Sequence, residues 1–193
     1  MRPTVSRSWT RVALCAGLIF HAALETVAAV EIPIPATQAK IDLLGETPDY
    51  LSLGFGGFDM IREAARAGKL GPSVAGQVEY RSGAKYSVFG PLLGILANAN
   101  GGVVGYAGIY VDGAISSWML TPFAAAGGYR RGDSKRLGGV FVFHLGGTVA
   151  YRFENQTRLG LTLTHTSNCR VYSENPGAES LLLSYAIPFG AGN

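Results

Sequence analysis

The stretch LTLTHTSNCRVYSENPGAESLLLSYAIPF holds an imidazole at His165, a hydroxyl two residues later at Ser167, and Glu179, the only carboxylate from Asn175 to the C-terminus. A serine hydroxyl attacks an ester readily only when a base takes its proton. The base in turn works best when a third group fixes its tautomer and orientation. These residues therefore supply a candidate nucleophile, base and orienting acid. Because H-x-S-N alone is a short pattern that unrelated chains also contain, the elements that place it must decide its meaning.

Those elements read as strands. Beyond Asp49 the only stretch with helical character is Met60 to Gly68; the rest falls into alternating runs separated by glycine and polar pairs. Eight strands are expected, near 50–60, 73–82, 86–98, 101–113, 116–130, 138–153, 157–168 and 178–189. The 27 glycines suit the turns and close packing of a small barrel.

Alternation identifies the surroundings. From Phe141 the odd positions run Phe141, Phe143, Leu145, Gly147, Val149, Tyr151 and Phe153, against His144, Thr148, Arg152 and Glu154 among the even ones. A barrel in the outer membrane turns its apolar residues to lipid and its polar and small residues inward. Most strands are long enough to cross tilted, and the last ends Tyr185-x-Ile187-x-Phe189 like outer-membrane barrels. The expected class is all-β, an eight-stranded antiparallel transmembrane β-barrel. Short turns at Ser82 to Tyr86, Asp112 to Ile115 and Glu154 to Thr157 would face the periplasm. Loops near 61–72, 130–138 and 168–177 would face outward, with a short one at Asn98 to Gly101.

The N-terminus fits secretion to that membrane. Arg2, Arg7 and Arg11 precede an apolar run from Val12 to Leu24, and Val27 and Ala29 suit a cut near Val30. The expected organisation is a signal peptide over 1–29, an irregular segment over 30–49 and the barrel over 50–193. Removing 1–29 lowers the net charge from +3 to about +1, which gives no sign of a nucleic-acid partner. Cys15 leaves with that segment, so Cys169 has no intrachain disulfide partner.

On the seventh strand Leu159, Leu161, Leu163, His165 and Ser167 share a face, and on the eighth Glu179, Leu181, Leu183 and Tyr185 do. A hairpin closing around 168–176 sets His165 opposite Glu179 and keeps Leu163 with Leu181 and Leu161 with Leu183. If the leucines touch lipid, the three polar groups lie at the lipid boundary of the external end. A membrane lipid is then the natural substrate.

The set His165, Ser167, Asn168, Asn175, Gly177 and Glu179, within HTSN-x6-NPGAE, resembles the lipid A 3-O-deacylase (PagL) family. Weaker similarity in LSLGFGGFD near 51, YAGIYVDG near 106 and YRFENQTRLGL near 151 extends the resemblance over most of the mature chain. It implies an eight-stranded outer-membrane barrel with a Ser-His-Glu triad that removes the 3-O-linked 3-hydroxyacyl chain of lipid A at the outer leaflet. Carried over, Ser167 is the nucleophile, His165 the base and Glu179 its orienter, with Asn168, Asn175 and Gly177 shaping the site and its oxyanion contacts. Lipopolysaccharide is the implied partner, a homodimer stays open, and no metal or other cofactor is required.

Arg130, Arg131, Lys135 and Arg136 form a basic external loop suited to phosphate groups, or simply to water. His144 reads as an interior polar residue and Cys169 as a small loop residue. Three other readings keep the strands: a phospholipase with the same triad, a non-catalytic structural or adhesive barrel, and a soluble ligand-binding barrel with an apolar cavity.

Overall fold

The structure, a computed structural model, describes residues 31–34, 40–60 and 72–190. The expected signal peptide and the Met60 to Gly68 stretch beyond Met60 lie outside these residues. Among the described residues ten strands form one antiparallel sheet: β1 (Glu31–Pro33), β2 (Lys40–Leu44), β3 (Asp49–Phe58), β4 (Ser73–Arg81), β5 (Phe89–Asn98), β6 (Val103–Ile115), β7 (Trp118–Arg130), β8 (Phe141–Arg152), β9 (Arg158–Ser167) and β10 (Ala178–Phe189). Each of β3 to β10 pairs with its chain neighbours, β6 with β7 included, and the pairing of β3 with β10 closes the ring. The result is a closed eight-stranded barrel, in which every strand finds partners on both sides. Closure matters in lipid, where an open edge would leave backbone N–H and C=O groups without water or a partner.

The segment expected to be irregular carries β1 and β2. β5 begins only at Phe89, opposite Val111, so the lower part of β6 has a free edge. β2 adds to it there, pairing Asp42, Leu43 and Leu44 with Ala114, Gly113 and Asp112. The Asp-Gly pair at 112–113 reads as a turn, but β6 continues through it to Ile115 and the turn is Ser116-Ser117. The side chain of Asp112 explains the extension: it is fully buried and accepts hydrogen bonds from Thr121 (2.6 Å) and Arg158 (2.9 Å). The turn before β5 is likewise longer than expected, with a bridge between Tyr86 and Phe89 inside it.

The outside is apolar. Leu53, Val78, Ile95, Val149, Leu161, Leu163 and Leu183 are each about half exposed, while their chain neighbours point inward. Aromatic side chains edge this band, with Trp118 against Tyr151 and Tyr80 near Phe189 at the turn end, and Phe141 against Phe143 at the loop end. The inside is polar and filled. Glu79 pairs with Arg81 (2.6 Å) and accepts from Tyr106, while Thr148, Thr162 and Ser184 link across three strands. Below them Asp112 holds Arg158 and Lys85, and the Arg158 guanidinium lies 4.0 Å from the Tyr50 ring centroid. This inversion of a soluble barrel removes the reading of an apolar ligand cavity.

Candidate active site

β9 and β10 pair with His165 opposite Glu179, Leu163 opposite Leu181 and Leu161 opposite Leu183, the register expected from alternation. His165 Nδ1 lies 3.0 Å from Glu179 Oε1. With the carboxylate accepting, Nδ1 carries the proton and Nε2 is left as the basic nitrogen. The His165 side chain is 46% exposed and that of Glu179 25%, so the pair sits on the outer surface of the barrel.

Ser167 follows on the same strand face but is only 5% exposed, unlike the leucines below it. The strand alternation stops here, because Thr166, Ser167 and Asn168 are buried in succession as the chain enters the loop. Among the described residues no hydrogen bond joins Ser167 Oγ to His165. Nucleophile and base in an unliganded site commonly stand further apart than in the substrate complex.

Thr166, between the two, points into the barrel, where its Oγ1 is 2.9 Å from His144 Nδ1. His144 is completely buried and packs 4.3 Å from the Tyr106 ring and 5.6 Å from that of Phe123. It is the interior polar residue that alternation suggested, and it braces the strand that carries the outward-facing pair.

The β9–β10 loop is tied to the β7–β8 loop. Asn168 donates both amide hydrogens, to the carbonyls of Leu137 and Glu174, each at 2.6 Å, and its own N–H is accepted by Asn175 Oδ1 at 2.9 Å. The side-chain donors of Asn168 are thus committed to structure, whereas Asn175 keeps its NH2 group. Cys169 and Arg170 then adopt left-handed φ values of 47° and 60°, a conformation uncommon outside glycine. Gly177, at φ 58°, closes the loop against the imidazole: a Cβ there would come within 2.6 Å of His165 Cε1.

Two contributors escaped the sequence reading. Gly138, at φ 87°, lets the β7–β8 loop approach so closely that a Cβ would strike the Glu174 carbonyl and sit 2.6 Å from Asn168 Nδ2. Tyr172 covers Gly139, and its hydroxyl accepts the N–H of Phe141 at 3.2 Å. In the sequence, Leu137-Gly138-Gly139 is only a turn signal. Its partner lies some thirty residues away.

The basic loop divides. Arg130, Arg131 and Arg136 line an open groove whose floor is Leu137 to Val140. Lys135 does not line it, since its ammonium is paired with Asp59. The groove and Asn168 share Leu137, so it lies beside the loop that follows Ser167.

The lipid A 3-O-deacylase (PagL) family profile matches residues 61–188, about two thirds of the chain. The chain belongs to the lipid A 3-O-deacylase (PagL) family. The crystal structure of the outer membrane enzyme PagL is similar at 18% identity and a TM-score of 0.50, covering 72% of this chain and 99% of that one. Designed transmembrane β-barrels are also similar, at 15% identity and a TM-score of 0.47, covering 76% of this chain and all of theirs. Among curated proteins no sequence match is found. Membership of the PagL family makes the chain an ester hydrolase, with lipid A as the family's substrate.

Proposed function

We propose that the chain removes the 3-O-linked 3-hydroxyacyl chain of lipid A at the outer leaflet, using Ser167, His165 and Glu179 as a triad. The observation that carries this reading is the His165–Glu179 pair, held at 3.0 Å by strand register on the outer surface, two residues from Ser167. His165 Nε2 takes the proton of Ser167 Oγ as the oxygen attacks the ester carbonyl. The tetrahedral intermediate collapses by expelling the sugar alkoxide, which receives that proton from His165. Water, deprotonated by the same nitrogen, then attacks the acyl-enzyme and releases the 3-hydroxy fatty acid, and Ser167 recovers its proton.

Glu179 holds Nδ1–H and stabilises the imidazolium that forms in each half-reaction. For the oxyanion, Asn175 offers its uncommitted NH2 group. Asn168 serves by holding the loop, since both of its amide hydrogens are already used. The groove of Arg130, Arg131 and Arg136 suits the phosphates of the lipid A headgroup, while the acyl chains stay against the leucine face.

The test is mass spectrometry of lipid A incubated with purified barrel in detergent or bilayers, without added metal. Wild type yields a product lighter by one 3-hydroxyacyl group. Ser167→Ala and His165→Ala each lose at least about a thousandfold in rate, and Glu179→Ala retains more, because an orienting group is often less essential than nucleophile or base. Wild-type turnover by Ser167→Ala would exclude the mechanism. Release from phospholipid alone would keep the triad and replace the substrate.

A further inference from the structure

At the turn end of the barrel, opposite Ser167, the face shared by β8, β9 and β10 closes in an open groove of about 630 Å³. Leu159 forms its floor, because strand register puts Tyr151 beside it on β8 and Tyr185 beside it on β10. Both tyrosines and Phe153 are 42% exposed, so their rings remain available to a ligand. The lip is the 153–157 turn, and it is firmly built: Phe153 N–H bonds to the Thr157 carbonyl (2.9 Å), Gln156 N–H to the Phe153 carbonyl (2.9 Å), and the Tyr50 hydroxyl to the Gln156 carbonyl (3.1 Å).

Two polar groups on this lip have capacity to spare. Glu154 is exposed and forms no ion pair among the described residues. Asn155 accepts from Thr157 N–H (3.2 Å) and Oγ1 (2.7 Å) through its oxygen, which leaves its NH2 hydrogens for an acceptor. The nearby guanidinium groups are directed elsewhere, Arg158 onto buried Asp112 and Arg152 towards the Ser116 carbonyl at 3.5 Å.

We propose that this groove holds the headgroup of an ammonium-bearing glycerophospholipid of the periplasmic leaflet. A cation is attracted to the faces of aromatic rings and to a carboxylate beside them. Tyr151, Tyr185 and Glu154 supply both. The phosphodiester next to the ammonium accepts from the Asn155 NH2 group, and the acyl chains run up the barrel from Leu159 over the neighbouring Leu161 and Leu183, which are exposed above the groove. An anionic lipid without an ammonium would meet Glu154 with no lining cation to offset the repulsion. The inference rests on the orientation that places the long loops and the triad outside, and it adds a second lipid contact on the opposite leaflet.

Trp118 lies 5.7 Å from the Tyr151 ring and can report occupancy. Trp9 falls in the expected signal peptide, so once residues 1–29 are removed Trp118 is the single tryptophan. The chain is placed in bilayers mixing brominated phosphatidylethanolamine with unlabelled phosphatidylglycerol, and in the converse mixture, and quenching of Trp118 gives the relative association of the two lipids. Phosphatidylethanolamine is expected to be preferred about threefold or more. The preference should fall to about one in Glu154→Gln and in Tyr185→Leu, and with an N-acetylated headgroup. Equal association in the wild type, or a preference that survives Glu154→Gln, overturns the proposal. Lipid A deacylation by Glu154→Gln should equal wild type, so a failed lipid preference is distinguishable from a failed triad.

Discussion

Gly177 sets the position of the His165 ring. Its φ of 58° is one that a side-chain-bearing residue adopts at a cost of about 1–2 kcal/mol, and a Cβ there would stand 2.6 Å from Cε1. Either the loop or the imidazole has to give way. Gly177→Ala is therefore expected to lower kcat at least about tenfold, equivalent to about 1.4 kcal/mol in the barrier, with KM little changed. Steady-state kinetics on lipid A check this, alongside the heat-modifiable gel migration of a folded barrel. Wild-type kcat in a folded variant would show that the ring tolerates the methyl group. The facing of His165 and Glu179 was legible in the sequence, because two leucine pairs pin the register and a one-residue slip would turn every leucine inward. The burial of Ser167 was not. It depends on where the chain leaves the strand, and alternation carries no information beyond that point.

The β7–β8 and β9–β10 loops behave as one unit, joined by Asn168 to Leu137, by Gly138 packed against the Glu174 carbonyl and by Tyr172 over Gly139. The basic groove is part of this unit, so a headgroup held there is placed relative to Ser167 by hydrogen bonds between the loops. Replacing Arg130, Arg131 and Arg136 together by Gln should reduce kcat/KM on bis-phosphorylated lipid A by about tenfold or more, and on a dephosphorylated analogue by much less. Lys135→Gln should not reproduce that selectivity, because Lys135 is already paired with Asp59. Equal losses on both substrates in the triple variant would remove the headgroup role. At this scale the sequence showed eight strands and four outward connections, since period-two patterning is local. It hid the ties between loops, the addition of β2 to β6 and the passage of β6 through Asp112-Gly113. Each of these depends on a partner distant in the chain.

Taken whole, the barrel turns apolar residues to lipid and encloses charges that must compensate one another. Asp112 is the hub at the turn end, contacting Arg158 through both carboxylate oxygens, at 2.9 and 3.3 Å, Lys85 at 3.2 Å and Thr121 at 2.6 Å. Removing its charge leaves two buried cations facing each other across the interior, and breaking a buried pair in this way typically costs about 3–5 kcal/mol. Asp112→Asn is accordingly expected to lower the unfolding midpoint in denaturant by an amount corresponding to about 3 kcal/mol, followed by tryptophan fluorescence and gel migration. The exposed Glu31–Lys40 pair provides the contrast, and Lys40→Ala should leave the midpoint unchanged because water screens that pair. Under native conditions folded Asp112→Asn should still deacylate lipid A at close to the wild-type rate, since the hub and Ser167 occupy opposite ends of the barrel. Loss of activity in a barrel that remains folded would mean that the interior charges reach the catalytic hairpin, and the separation of scaffold from site would have to be abandoned.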